Sequence, residues 1–174
     1  MSLGAGIVHG CPKLEQITGK YTSDDGRCLI TDGILNSFAP ANLTEYTLPK
    51  DVTIIGSMAF SDNFTELKTV HLPEGLVTIA DRAFRYSGLE TITFPSTLKY
   101  LYAEAFYGSN ALKNIYCKSL FPPAFVGCDD RWETVFGDIH PNAVIYVPEK
   151  QVEQYKREWP WYSSIIKGYD FGND

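Results

Sequence analysis

The chain has 174 residues and a formal charge of −6 from 21 acidic and 15 basic side chains. No basic run interrupts that balance, so the footprint of a phosphate-backbone binder is missing and nucleic acid is excluded as a partner. No apolar stretch approaches the roughly 20 residues that span a bilayer, and MSLGAGIVHG has no basic region leading a long apolar core, so membrane insertion is not predicted for residues 1–174, read as a single domain.

Residues 7–19 are read as a partial rung of a repeat, because Leu14 and Ile17 carry the spacing that recurs later at Leu67 and Val70. A stack of repeats normally needs a terminal cap, so the chain is expected to open in mid-array, as a fragment of a longer protein with further repeats upstream. Residues 20–41 interrupt the period. Within them, residues 27–31 and Ile34 to Phe38 flank Asp32-Gly33, a two-residue hairpin signal because type I′ turns need positive φ. The expectation is a β-hairpin insertion that either projects from the first rungs or caps them.

Residues 42–117 hold the repeats. LKTVHLPEGLVTIADRAF, residues 67–84, is the cleanest copy, with Leu67, Val70, Leu72, Pro73, Leu76, Ile79, Ala83 and Phe84 matched upstream from Leu43 to Phe60 and downstream from Leu89 to Phe106. The leading residues Leu43, Leu67, Leu89 and Leu112 lie 24, 22 and 23 residues apart, inside the leucine-rich-repeat range of roughly 20–29. Val70 and Leu72 alternate with Thr69 and His71, the period of a half-buried strand. Proline then ends the strand, since it offers no donor to the next ladder position. The second apolar pair fits a short return strand, Ala-Phe fits a tight helical turn, and the phenylalanines are predicted to stack as an internal column. One rung cannot bury its own apolar edge, so neighbours must cover it.

Residues 118–174 are read as an irregular loop, a last strand and a C-terminal cap. Phe121, Phe125, Trp132 and Phe136 either line a pocket or cover the end of the column. Val144 to Pro148 repeats the strand-then-proline signature. Val152, Tyr155 and Trp159 then share a helical face, with Glu153 and Arg157 paired at i,i+4 until Pro160 stops the helix.

No residue set carries a catalytic, cofactor or metal motif. Cys11, Cys28, Cys117 and Cys128 form no CxxC pair; they are read as free thiols, with a Cys117–Cys128 or Cys11–Cys28 disulfide as the alternative in an oxidising compartment. His9, His71 and His140 have no metal or triad spacing and read as solvated, and a nucleophilic pairing of His140 with Cys117 or Cys128 conflicts with Cys117 as core. Gly19-Lys20 fails as a phosphate loop because Leu14 and Tyr21 stand where glycine and Ser/Thr are needed. Asp24-Asp25 and Asp129-Asp130 read as turn residues rather than calcium ligands. Asn42-Leu43-Thr44 and Asn63-Phe64-Thr65 are formal glycosylation sequons, and Lys68, Glu90 and Lys113 are placed in a surface charge ladder.

The rungs LTEYTLPKDVTIIGSMAF, LKTVHLPEGLVTIADRAF and LETITFPSTLKYLYAEAF, with the ITGKYTSDDGRCLITDGILNSFAPA insertion and the VIYVPEKQVEQYKREWPWY ending, resemble the BspA-like leucine-rich repeats of bacterial surface proteins. Asp51, Gly75 and Thr97 occupy the slot in which better-known repeats carry an asparagine ladder. The resemblance implies a leucine-rich-repeat solenoid of the repeat α/β class, mostly short β-strands with helical turns, as a right-handed superhelix with the hairpin insertion and a C-terminal capping helix. It also implies export or a cell-surface location, adhesion, coaggregation or host-protein binding, and no catalytic motif.

If Val70 and Leu72 face inward, the outward strand positions are Gln16 and Thr18, Glu45 and Thr47, Thr69 and His71, Thr91 and Thr93, Asn114 and Tyr116, Val144 and Tyr146, of which only Glu45 is charged. Charge depletion with tyrosine marks the centre of an interface, although threonine also simply fits strands. The expected ligand face therefore centres on Tyr116 and Tyr146, extended by His71, Thr91, Thr93 and Asn114, with a protein or glycan of a host or neighbouring bacterial cell as partner. The competing function is a structural spacer, and an enzyme stands behind both.

Overall fold

The structure, a computed structural model, describes residues 11–62, 66–128 and 134–172. Twelve strands are present among them: β1 (Cys28–Thr31), β2 (Ile34–Phe38), β3 (Glu45–Thr47), β4 (Ile54–Ile55), β5 (Thr69–His71), β6 (Thr78–Ile79), β7 (Thr91–Phe94), β8 (Tyr100–Tyr102), β9 (Asn114–Cys117), β10 (Ala124–Val126), β11 (Val144–Pro148) and β12 (Ile166–Tyr169). They form sheet I, ordered β1-β2-β4-β6-β8-β10, and sheet II, ordered β3-β5-β7-β9-β11-β12. Every pairing is parallel except the β1–β2 hairpin.

A rung contributes one strand to each sheet. At the first corner a proline carbonyl accepts the N–H three residues on, from Pro49 to Val52, Pro73 to Leu76 and Pro95 to Leu98, each at 3.2 Å. No asparagine ladder runs there, but Thr97 does part of its work: its hydroxyl accepts the Gly75 N–H at 3.0 Å and donates to the Leu76 carbonyl at 2.8 Å. Val70, Ile92, Ile115, Ile145 and Ile166 are buried from sheet II, and Leu35, Ile55, Ile79 and Leu101 from sheet I.

The Ala-Phe corner closes each rung. Phe60, Phe84 and Phe106 donate their N–H groups to the Ala83, Ala105 and Val135 carbonyls at 2.8, 2.7 and 2.9 Å, so the turns form a backbone ladder of their own. The predicted column is present and longer than expected: Phe38, Phe60, Phe84, Phe106 and Phe136 follow one another at centroid spacings of 4.7, 4.8, 5.1 and 5.4 Å. The corner is not a plain helical turn. Met58, Arg82 and Glu104, two residues before successive column phenylalanines, and Asp62, Tyr86 and Asp138, two residues after, all have φ between 53 and 59°. Side-chain-bearing residues lose roughly 1–2 kcal/mol each in that region, which the ladder and the column offset.

Four features differ from the sequence reading or narrow it. First, Leu14 to Thr18 form no strand. The Ile17 N–H donates to the Gly26 carbonyl and the Leu14 carbonyl accepts the Ala41 N–H, so these groups serve the hairpin loop and the start of the first complete rung, and Gln16 and Thr18 are not strand positions. Residues 7–10 and His9 lie outside the described residues.

Second, of the two placements expected for the hairpin only the capping one is found: β2 pairs with β4 at the end of sheet I and buries Leu35 and Phe38. Asp32 and Gly33 take φ of 50 and 75°, as their turn requires, and a Cβ on Gly33 would sit 2.8 Å from the Thr53 hydroxyl.

Third, the segment read as an irregular loop is another rung. β10 pairs with β8, and Val135-Phe136 occupies the Ala-Phe slot. Phe125 and Phe136 join the core, whereas Phe121 is 69% exposed and neither caps the column nor lines it. Trp132, Asp129-Asp130 and the Asn63 sequon lie outside the described residues.

Fourth, the ending is helix, 3-10 turn and strand. Helix α1 (Val152–Glu158) and the 3-10 turn Pro160–Ile165 lead into β12, which pairs with β11, so β11 is not the last strand. Glu153 pairs with Lys156 at 3.5 Å rather than with Arg157, whose guanidinium lies 3.6 Å from Glu158. Hydrogen bonds anchor the cap, among them Tyr155 hydroxyl to the Ser119 carbonyl, Trp159 Nε1–H to the Pro123 carbonyl, and Phe136 N–H to the Tyr162 hydroxyl, at 2.9, 3.1 and 3.2 Å.

Candidate binding face

Alternation along sheet II sends Tyr46, Val70, Ile92, Ile115, Ile145 and Ile166 inward and leaves the residues on either side of each on the opposite face. Parallel register then lines up equivalent positions. Thr93 stands beside Tyr116, Tyr116 beside Tyr146, and Tyr146 beside Lys167.

The two tyrosine rings stack at 4.8 Å with 14° between their planes, a spacing imposed by strands about 4.7–4.9 Å apart. Tyr169 sets its edge against both, at 5.2 Å from Tyr116 and 5.6 Å from Tyr146, and Phe171 packs on Tyr169 at 4.9 Å. Such contacts contribute about 0.5–1.5 kcal/mol each beyond buried area. Burial, then the neighbouring Tyr146 and Tyr169 phenols, push the Tyr116 phenol above its ordinary range, so it is a hydrogen-bonding hydroxyl at neutral pH.

Beside this cluster the face is hollowed. A groove of about 390 Å³ is lined by Thr69, His71, Glu74, Thr91, Thr93 and Lys118. It adjoins a hollow of about 320 Å³ lined by Thr93, Tyr116, Lys118, Tyr169, Asp170 and Phe171. A third, also about 320 Å³, continues past Lys118, Tyr169 and Asp170 to Glu149 and Gln151. His71 hydrogen-bonds with Glu45 across the strands, and the Asn114 amide reaches the Thr91 hydroxyl at 3.5 Å. All six sequence-predicted site residues therefore belong to one face, with Tyr146 behind Tyr116. Lys118, Tyr169, Asp170 and Phe171 were missed; Lys118 lies just past a strand, and the other three depend on β12.

The other candidate chemistries do not assemble. Cys11, Cys28 and Cys117 carry free thiols, so neither the Cys11–Cys28 nor the Cys117–Cys128 disulfide forms. Burial pushes the Cys28 thiol up to about 11 and raises the Cys117 thiol further. His140 Nδ1 accepts the Asn142 N–H at 3.0 Å, while the Cys128 thiol faces the Val126 carbonyl at 3.6 Å. Asp25 is a turn residue: despite the cost of burial, bonds from the Ser23 hydroxyl at 2.6 Å, the Tyr46 hydroxyl at 2.7 Å and the Arg27 N–H at 3.0 Å hold its carboxyl below the usual range. Asp25 lies in a hollow of about 690 Å³ under the hairpin loop, with Asp24, Asp32, Asp51 and Lys20. Among the described residues no group of three or more His, Cys, Asp or Glu side chains could hold a metal ion, and no helix is long and apolar enough to cross a membrane. The charge ladder closes at Lys68–Glu90, 3.7 Å apart and exposed, which is worth about 0–1 kcal/mol.

The profile of the BspA type leucine-rich repeat region, in six copies, matches residues 35–128, more than half of the chain. The chain belongs to the BspA-type leucine-rich-repeat family. A leucine-rich repeat protein from Eubacterium ventriosum, known from a crystal structure, superposes with a TM-score of 0.54 at 20% identity, over 85% of this chain and 39% of that one. At that identity the likeness shows the fold. The chain spans well under half the length of that protein. No curated protein matches it in sequence. Modules of this family generally bind proteins, typically lack enzymatic activity, and typically belong to surface or secreted proteins.

Proposed function

We propose that the chain is a binding module of an exported or cell-surface protein, engaging a protein or glycan of a host or neighbouring bacterial cell through the outward face of sheet II. The observation that carries this is the juxtaposition on that face of a four-ring aromatic cluster with three adjoining hollows. A repeat array presents its strands as one extended surface. Tyrosine there supplies large contact area at small entropic cost.

The immobilised chain is offered host matrix proteins, mucin and whole partner bacteria, and a retained partner is titrated against the double variant Tyr116→Ala with Tyr146→Ala. Affinity falls at least about tenfold, equivalent to about 1.4 kcal/mol, while the midpoint of thermal unfolding shifts by only a few degrees. Unaltered affinity would move the site to the hollow under the hairpin, and failure to retain any partner would return the chain to the spacer role.

A further inference from the structure

The tyrosine stack on sheet II is unfinished. Its rings stand face to face along the direction in which strands follow one another, so Tyr116 turns one face to Tyr146 and the other toward β7. There the register position holds Thr93, too small to continue the stack. Where a third ring would stand is the hollow of about 320 Å³ bounded by Thr93, Tyr116, Lys118, Tyr169, Asp170 and Phe171, whose ring stands at 83° to that of Tyr116 with centroids 6.4 Å apart and so does not continue the stack. That volume is at the lower end for small-molecule pockets, which span about 300–1,000 Å³.

We propose that this slot holds a neutral pyranose ring of a glycan, stacked on Tyr116. The proposal rests on sheet II being the binding face and names its ligand. A pyranose presents a flat face of C–H groups, weakly positive, which packs on the negative face of an aromatic ring. Its hydroxyls project around the edge, where Thr93, Tyr116 and Tyr169 supply hydroxyls, Lys118 donates and Asp170 accepts. Asp170 is fixed for this by the Gly172 N–H, which its Oδ1 accepts at 2.9 Å. One cation and one anion on the rim leave the slot without net charge, which selects against phosphorylated, carboxylated or amino ligands. The hollows over Thr69 and His71 and past Lys118 adjoin the slot on both sides and leave room for further sugar residues of an oligosaccharide.

The test titrates the full chain with neutral hexasaccharides of glucose, galactose, mannose and N-acetylglucosamine, with a sialylated and a sulfated oligosaccharide as charged probes, and with mucin before and after enzymatic removal of its glycans. At least one neutral hexasaccharide binds, and its dissociation constant rises at least about tenfold in both Thr93→Tyr, which fills the slot, and Tyr116→Ala, which removes the platform. Tyr100→Ala, on sheet I, leaves it unchanged. The inference is overturned if no neutral saccharide binds at millimolar concentration, if only the charged probes bind, or if Thr93→Tyr and Tyr116→Ala both keep wild-type affinity. A protein partner that binds equally after its glycans are removed, and is lost in the Tyr116→Ala with Tyr146→Ala variant, would overturn the glycan while leaving the binding face in place. A chain that binds neither saccharides nor proteins would overturn both.

Discussion

Phe84→Ala is expected to cost the chain about 3–5 kcal/mol of unfolding free energy, the range for deleting a buried aromatic. Phe84 is fully buried and lies between Phe60 and Phe106 at 4.8 and 5.1 Å, with ring planes within 12 and 7°. Removing it opens a void in the middle of the column. Its own N–H and that of Phe60 hold the corner ladder on either side, so the backbone cannot collapse inward to fill the space. Each rung is stabilised chiefly by its neighbours, and the central one has two interfaces to lose. Urea unfolding measures the loss, with Phe121→Ala as the internal control, because an exposed ring on the same chain costs at most about 0.5 kcal/mol. A loss below about 1 kcal/mol at Phe84 would mean that the column does not carry the stack.

Trp159→Ala is expected to cost about 4 kcal/mol, the sum of a lost aromatic and a stranded carbonyl with some relaxation. The indole is 2% exposed, stacks on Phe125 at 4.8 Å and donates to the Pro123 carbonyl at 3.1 Å. It therefore ties the cap to the last strand of sheet I. Trp159→Phe keeps the packing but strands the carbonyl, so it costs about 1–3 kcal/mol. Hydrogen exchange in the alanine variant should rise first at β10 and β9 and reach β4 and β3 last. Uniform acceleration along the stack would show instead that the array unfolds as one unit and that the cap has no local role.

Much of this architecture is legible in the sequence because the rung is repeated. The register of Leu67, Val70, Ile79 and Phe84 against their counterparts fixes both sheets and the column, and Asp32-Gly33 fixes the hairpin. The last rung is hidden: Pro122-Pro123 break the strand pattern, phenylalanine replaces leucine or isoleucine at 125, and valine replaces alanine at 135. β12 is hidden for a different reason, since Ile-Lys-Gly-Tyr has a single buried residue and a glycine, too little alternation to score as a strand. Except for Gly108 after Phe106, the corner residues with positive φ carry ordinary side chains rather than glycine, so composition hardly marks them. On the candidate face, the adjacency of Tyr116 and Tyr146 follows from register alone. The slot does not, because Tyr169 and Asp170 reach it only through the cap and the strand that follows it, while Lys118 lies just past β9.

Oxidative footprinting of tyrosines, with and without a retained partner, tests the binding face most directly. Tyr21, Tyr86, Tyr100 and Tyr169 are 46, 44, 43 and 42% exposed, so they are modified at comparable rates in the free chain and serve as one another's controls. They lie on the hairpin loop, the Ala-Phe corners, sheet I and sheet II respectively. The account predicts that the partner protects Tyr169, together with Tyr116, and leaves Tyr21, Tyr86 and Tyr100 unchanged. Protection of Tyr21, Tyr86 or Tyr100 with Tyr169 still fully reactive would contradict it.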